Sequence, residues 1–260
     1  MMLLKNGILS LLVLVSLVSC GESSRPATLP TNSLPQQIEE AHQKEDLLSY
    51  EAVQWDFKLF FGGKERLDAT LTILTNSTKG LLEMADSTQI FFDQDRVYYS
   101  PNRKSDKGVR FDAFTWSYFF LLPYKLTDPG TKWSPYSSTP IAGKAYRSEK
   151  LSFEAEVGDA PEDWYIVYAN PSTNLLEVAA YIVTANKSVE EAEADPHAIE
   201  YADFTTVEGI PFAQRWVFWE WREERGLTQE LGSGEVSNIK LLKEAPMLKA
   251  VPEGFLEVPK

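Results

Sequence analysis

From Val53 to Phe61 the chain alternates, with Val53, Trp55, Phe57, Leu59 and Phe61 on one side and Gln54, Asp56, Lys58 and Phe60 on the other. Successive side chains of an extended backbone point to opposite faces, so this is the pattern of a strand with one buried face. Gly62-Gly63 follows, a pair suited to a two-residue hairpin turn. The return run sets Leu67, Ala69, Leu71 and Ile73 against Arg66, Asp68, Thr70 and Thr72, and the spacing predicts a hairpin. Further strand-like runs are Gly80–Ala85, Gln89–Phe92, Arg96–Tyr99, Tyr146–Val157, Trp164–Ala169, Leu175–Val183, Ala198–Thr206, Phe212–Arg222 and Thr228–Leu242. They bring the expectation to about eleven antiparallel strands. Turns fall at Asp93-Gln94-Asp95 and Asn170–Asn174, and Gly232 and Gly234 predict a bulge in the last strand.

Two segments leave this period. Leu34-Pro35 opens a helix through about Leu48, with Ser33 as N-cap; its stripe of Ile38, Ala41, Glu45 and Leu48 is only partly apolar and predicts a surface helix. "RFDAFTWSYFFLLPYKL", Arg110 to Leu126, is apolar on nearly every side. Such an element must be buried all round, or face a ligand or a membrane. Thr127 to Gly143 reads as an ordered loop, so that residues 34–260 make one mainly β domain.

The chain begins differently. Lys5 precedes an uncharged apolar stretch, Ile8 to Val18, which has the form of a secretory signal and is too short to span a bilayer. The only cysteine, Cys20, follows Leu17, Val18 and Ser19 and precedes Gly21. This order resembles the lipobox of bacterial lipoproteins, in which the thiol receives diacylglycerol before cleavage in front of the cysteine. The resemblance implies a signal peptide over residues 1–19, lipid attachment at Cys20 and a linker over 20–33. The Ser-, Thr- and Pro-rich run Glu22–Ser33 suits such a tether. The alternative is an ordinary secreted protein whose signal contains a cysteine.

Composition narrows the partners. Hydrophobic residues make up 43% of the chain and aromatic residues 12%, which argues for a folded globule. The net charge of −13, with no lysine–arginine stripe, disfavours nucleic acid or anionic headgroups as main partners. His42 and His197 have no second histidine or cysteine at ligand spacing, so no metal site is expected and both read as surface residues. No cofactor motif or nucleophile elbow occurs. The runs Glu190, Glu191, Glu193, Asp195 and Glu220, Glu223, Glu224 read as solvated charge, although a carboxylate pair is all that a glycosidase requires. No catalytic residue is singled out.

Aromatic residues are the remaining signal. "PFAQRWVFWEWRE" places Phe212, Trp216 and Phe218 on one face and Val217, Trp219 and Trp221 on the other. Trp164, Ile166 and Tyr168 oppose Tyr165 and Val167 in the same way. Either a second layer covers the outer face, or one face lines an apolar cavity. The candidate cavity residues are Trp55, Phe57, Phe114, Phe119, Trp164, Trp216 and Phe218.

Taken in order, the features resemble the LolA/LolB-like group of Gram-negative envelope proteins, and especially its outer-membrane lipoprotein relatives. The resemblance runs over about residues 34–242 and includes "GDAPEDWYIVYANPSTNLLEVAAYIVT" and "FTTVEGIPFAQRWVFW". It is strongest at Asp163-Trp164-Tyr165, Asn170-Pro171 and Gly209-Ile210-Pro211. It implies a curved antiparallel half-barrel of about eleven strands with a few helices across its concave face, whose best-known members carry lipoprotein acyl chains there. The expectation is a non-catalytic lipoprotein of the cell envelope, at the outer membrane and facing periplasm or cell surface. It would bind a hydrophobic or amphiphilic ligand, such as the palmitate chain of a lipid or lipoprotein. The alternatives are a structural or interaction lipoprotein with a filled core, and an envelope hydrolase.

Overall fold

The alternating runs become strands of one antiparallel sheet. In the computed structural model, which describes residues 32–259, these are β1 (Ala52–Phe61), β2 (Lys64–Leu74), β3 (Lys79–Met84), β4 (Gln89–Asp93), β5 (Arg96–Tyr99), β6 (Thr131–Pro135), β7 (Arg147–Phe153), β8 (Tyr165–Ala169), β9 (Leu176–Tyr181), β10 (His197–Val207), β11 (Ile210–Arg222), β12 (Gly226–Leu242) and β13 (Leu256–Glu257). The helices are α1 (Leu34–Ala41), α2 (Lys44–Leu48), α3 (Val109–Leu121) and α4 (Val189–Glu193). The signal segment 1–19, Cys20 and most of the 20–33 linker lie outside the described residues, and Asn32–Lys260 forms a compact unit of its own.

Strand order across the sheet is β13-β5-β4-β3-β2-β1-β12-β11-β10-β9-β8-β7-β6. Neighbours follow the chain from β1 to β5 and from β6 to β12, and the two runs join where β1 pairs with β12, from Ala52↔Leu242 to Phe61↔Gly232. Gly62 and Gly63, at φ +54° and +73°, form the two-residue turn between β1 and β2. The predicted bulge sits beside Gly232: Phe218 pairs with Gly232 and Trp219 with Glu230, so β12 carries one extra residue. A Cβ on Gly232 would lie 2.2 Å from the Phe60 carbonyl oxygen, so only glycine lets β1 approach there.

The sheet must curl around α3. Phe114 meets Phe92 of β4 with ring centroids 5.4 Å apart, and Tyr118 meets Tyr165 of β8 at 5.5 Å. In a flat sheet those strands would stand about 38 Å apart at the usual strand spacing, far beyond the girth of one helix. One core therefore runs along the concave face from Val97 of β5 to Leu151 of β7, with α1 and α3 inside it. The convex face carries two smaller clusters. Tyr136, Ile141 and Tyr146 cover β8 to β11 at one, and Ala245, Leu248 and Phe255 cover β1 and β3 to β5 at the other.

The structure departs from the expected elements at several points. There are thirteen strands rather than about eleven. The added β6 is an edge strand with little apolar pattern, inside the stretch expected to be loop, and β13 is two residues long. The first helix is two, because Gln43 takes a left-handed conformation at φ +59° and turns the chain so that Leu47 is buried. His42, expected at the surface, lies one helical turn after buried Ile38 on the inward side of α1 and is in the core at 1% exposure, whereas His197 is half-buried beside Asp195.

Candidate functional site

The concave face is the one region where a helix is set against the inner faces of strands from both halves of the sheet. α3 begins after Gly108, which is left-handed at φ +76°, and its inward rings fill the floor. Phe120 lies between Trp55 and Phe212, with centroids 3.8 Å and 5.5 Å away and nearly parallel planes. Trp116 packs on Phe57 at 5.9 Å and Phe57 on Trp216 at 4.9 Å. Phe119 meets Tyr181 at 4.9 Å and Phe218 at 6.3 Å. Beside these rings lies a small, partly open cavity of about 20 Å³ lined by His42, Phe120, Tyr124, Tyr201, Phe212 and Trp216, among others.

Polar ties hold α3 at both ends. Near its start, buried Asp112 accepts from Arg66 of β2 at 2.8 Å and from Trp116 Nε1 at 3.1 Å. Arg110 Nε donates to Asp159 at 2.8 Å, and its guanidinium lies over Phe114. Both arginines keep contact with solvent. Towards its end, Tyr201 Oη donates to the Phe119 carbonyl at 2.8 Å, and Tyr124 Oη donates to the Pro211 carbonyl at 3.0 Å. Burial pushes both phenols well above the usual tyrosine range, so they stay neutral donors.

α1 closes this second end. Glu39 accepts from Thr127 N at 2.7 Å and Thr127 Oγ1 at 2.6 Å, with Lys44 Nζ at 2.9 Å. His42 Nε2 accepts from the Leu176 N–H at 3.0 Å. Burial lowers the imidazole pKa to about 3, so the ring is neutral. Among the described residues, two buried side-chain polar atoms have no hydrogen-bond partner: His42 Nδ1 and Trp55 Nε1.

Of the seven candidate cavity residues, Trp55, Phe57, Phe119, Trp216 and Phe218 share the concave core, and Phe114 packs against it half-buried. Trp164 does not join them. It lies on the convex face, edge-on to Trp221 at 6.2 Å, with Nε1 bonded to Glu193 and Lys150 above its ring. The two-sided aromatic pattern thus has two causes: α3 fills the concave side, and the segment from Tyr136 to Tyr146 covers part of the convex side. The carboxylate runs belong to other elements than the floor rings, although Asp195 lies beside His197, whose ring meets Tyr181 at 6.1 Å. Glu190, Glu191 and Glu193 sit in α4, while Glu223 and Glu224 form the β11–β12 turn. Among the described residues no group of three or more His, Cys, Asp or Glu could hold a metal ion.

Sequence reading missed His42, Arg66, Asp112 and Phe120. One signal was available for Asp112: a carboxylate inside a segment apolar on all sides demands a buried partner. Nothing in the sequence pairs it with Arg66, 46 residues away.

An open, strongly curved antiparallel sheet holding a helix on its concave side is a LolA-like fold. The structure of a LolA superfamily protein, NE2245 from Nitrosomonas europaea, superposes with a TM-score of 0.55 at 11% identity, covering 83% of this chain and 96% of that one. A DUF1329 family protein from Desulfovibrio piger ATCC 29098 matches with a TM-score of 0.49 at 12% identity, over 81% of this chain and 94% of its own. By sequence, the chain belongs to the family of unknown function DUF6503, whose profile matches residues 61–207. No curated protein matches it.

Proposed function

We propose that this is a non-catalytic lipoprotein of the cell envelope, anchored through Cys20, that takes up the apolar part of an amphiphilic ligand on its concave face. The supporting observation is the manner in which α3 is held. The helix that fills the floor is tied at its start by ion pairs whose arginines reach solvent. Ionic ties of this kind add little net stability compared with apolar packing, but they can be exchanged for water. An occupant held in this way can be replaced by an acyl chain that fills the same rings.

The test is binding of a fluorescent fatty acyl probe to the chain beginning at Asn32. Uptake by the wild-type protein is expected, with faster uptake by Arg66→Gln, which loosens the start of α3. No uptake by either protein overturns the reading. The anchor is tested separately: the N-terminal peptide of the membrane-extracted protein should carry acyl chains on Cys20, and a free thiol there refutes it.

A second reading, an interaction module with a permanently filled core, is favoured by one observation. The cavity of about 20 Å³ beside the floor rings is far below what an acyl chain occupies. In that case the probe stays unbound and the Arg66 variant changes stability alone.

A further inference from the structure

Three phenols of the concave core lack hydrogen-bond partners. Tyr118 of α3, Tyr165 of β8 and Tyr181 of β9 are neighbours, with ring centroids 5.5 Å apart from Tyr118 to Tyr165 and 6.1 Å from Tyr165 to Tyr181. Tyr165 and Tyr181 are each 7% exposed. Among the described residues none of these three hydroxyls makes a hydrogen bond, whereas the buried phenols of Tyr124, Tyr168 and Tyr201 each make one. The buried side-chain atoms that are both partnerless and sealed from solvent are His42 Nδ1 and Trp55 Nε1, so the three phenol oxygens keep a path to water. They share one neighbourhood, since Tyr118 and Tyr181 both act electrostatically on the Tyr165 phenol. Burial keeps all three neutral.

A carboxylate stands beside them. Asp163 acts on the phenols of both Tyr118 and Tyr165. Its Oδ1 accepts the Thr184 N–H at 2.8 Å and the Thr184 hydroxyl at 2.7 Å, which leaves Oδ2 unbonded. Burial raises its pKa, and no lysine or arginine acts on it, on Tyr118 or on Tyr181. Lys187 and Arg222 act on His197, whose ring lies 6.1 Å from Tyr181, but not on these groups. A carboxylate taken out of water ordinarily has a cation or a full set of donors for both oxygens. Here the cation is missing.

We propose that Tyr118, Tyr165, Tyr181 and Asp163 form a site for a primary ammonium group, the head of the amphiphile whose apolar part lies on the floor rings. The chemistry selects the class. An ammonium carries three donors and no acceptor, which suits phenol oxygens and a carboxylate oxygen that are free to accept. Aromatic rings attract it further, and Phe153 adds a fourth ring 6.2 Å from Tyr165. An anion would be repelled by Asp163, and an alcohol would leave that charge without a counterion. Phe119 joins this site to the floor, because its ring meets Tyr181 at 4.9 Å and Phe218 at 6.3 Å. The inference rests on the reading that the concave face takes an amphiphile, and it names the headgroup.

The experiment is nuclear magnetic resonance of the chain beginning at Asn32 with its tyrosine rings ¹³C-labelled, the Tyr165 peak being identified by its loss in Tyr165→Phe. The probes are hexylammonium, hexan-1-ol and hexanoate, with binding of a fluorescent fatty acyl probe measured in parallel. Hexylammonium should move the Tyr165 peak at concentrations where the alcohol and the carboxylate do not. Asp163→Asn keeps an oxygen for Thr184 and removes the charge. It should lower hexylammonium affinity about tenfold, the size of one hydrogen bond to a charged group. Tyr165→Phe keeps the ring and should lower it about fivefold, the size of one neutral hydrogen bond.

Equal response to hexylammonium and hexan-1-ol, or an unchanged affinity in Asp163→Asn, overturns the ammonium site. If the acyl probe binds and hexylammonium does not, the headgroup is wrong while acyl binding stands. If hexylammonium binds and the acyl probe does not, the cation site stands and the acyl reading falls. Should Asp163→Asn not fold, Tyr165→Phe and Tyr181→Phe carry the same test through the preference for hexylammonium over hexan-1-ol.

Discussion

On the concave face a thirteen-residue helix covers the sheet, whereas on the convex face the covers are irregular chain, Tyr136 to Tyr146 over one cluster and Ala245 to Phe255 over the other. The difference matters for what can move. A helix satisfies most of its backbone groups internally, so α3 can leave the floor without losing its own ladder. The convex covers pair a few backbone groups among themselves, as Ile141 with Lys144 and the Leu248 N–H with the Ala245 carbonyl, and others with neighbouring side chains. Ser148 Oγ donates to the Tyr136 carbonyl and the Ala245 N–H donates to Glu51, while the Thr139 side chain ties its cover to the Glu223 carbonyl of the β11–β12 turn. Lifting them would strip backbone hydrogen bonds one by one. The two faces therefore differ in how their covers are held.

Substitutions can break this contrast, and the largest effect is expected at the helix itself. Phe119 is 3% exposed and touches Trp116, Tyr181 and Phe218, so Phe119→Ala should cost about 3–5 kcal/mol in urea unfolding, the range for a core phenylalanine. A much smaller loss would mean that the ring walls a hollow rather than filling a core.

Acid should act next, also on the concave side. The folded His42 pKa is depressed from 6.5 to about 3, so between those values the unfolded chain binds a proton that the folded one does not. The stabilisation is complete above pH 6.5 and is lost as pH falls towards 3. Its full span is on the order of 5 kcal/mol. Nearby Tyr124 and Tyr201 stay neutral throughout. His42→Phe should flatten this part of the stability profile; an unchanged slope would show that the ring is hydrated in solution.

Smaller effects separate the two kinds of cover. Arg66→Gln leaves buried Asp112 with Trp116 Nε1 and should cost about 1–3 kcal/mol, while opening the protein to proteolysis around α3 first. On the convex side, Lys144 and Glu177 form a half-exposed pair, and Lys144→Gln should change stability by less than about 1 kcal/mol. A larger loss there would mean that the convex cover depends on charge.

The strands were legible because each buries at least one face, and alternation records that directly. All eleven expected runs are strands, from Val53–Phe61 to Thr228–Leu242. β6 was not legible, since an edge strand with exposed Lys132 and Pro135 needs no apolar period. The site was legible by half. Phe57 and Trp216 declare themselves by pattern, but the face that a tryptophan shares depends on curvature, and so Trp164 was assigned to the wrong side. His42 shares the face of Ile38 one helical turn earlier, and its burial was overlooked because an imidazole does not extend an apolar stripe. Long-range polar pairs such as Arg66 with Asp112 leave no trace in local spacing.

The seam between β1 and β12 has a consequence for the order of folding. β1 is central in the sheet, yet one of its two neighbours is contributed by residues 226–242, so Ala52 waits for Leu242. Loop closure over so long a stretch is slow. Until it happens, β1 and β11 each present an unpaired edge next to their apolar faces. A chain emerging from its N-terminus must therefore be kept from pairing with other chains until nearly all of it has been delivered. The two halves of the half-barrel can join only when its last long strand arrives.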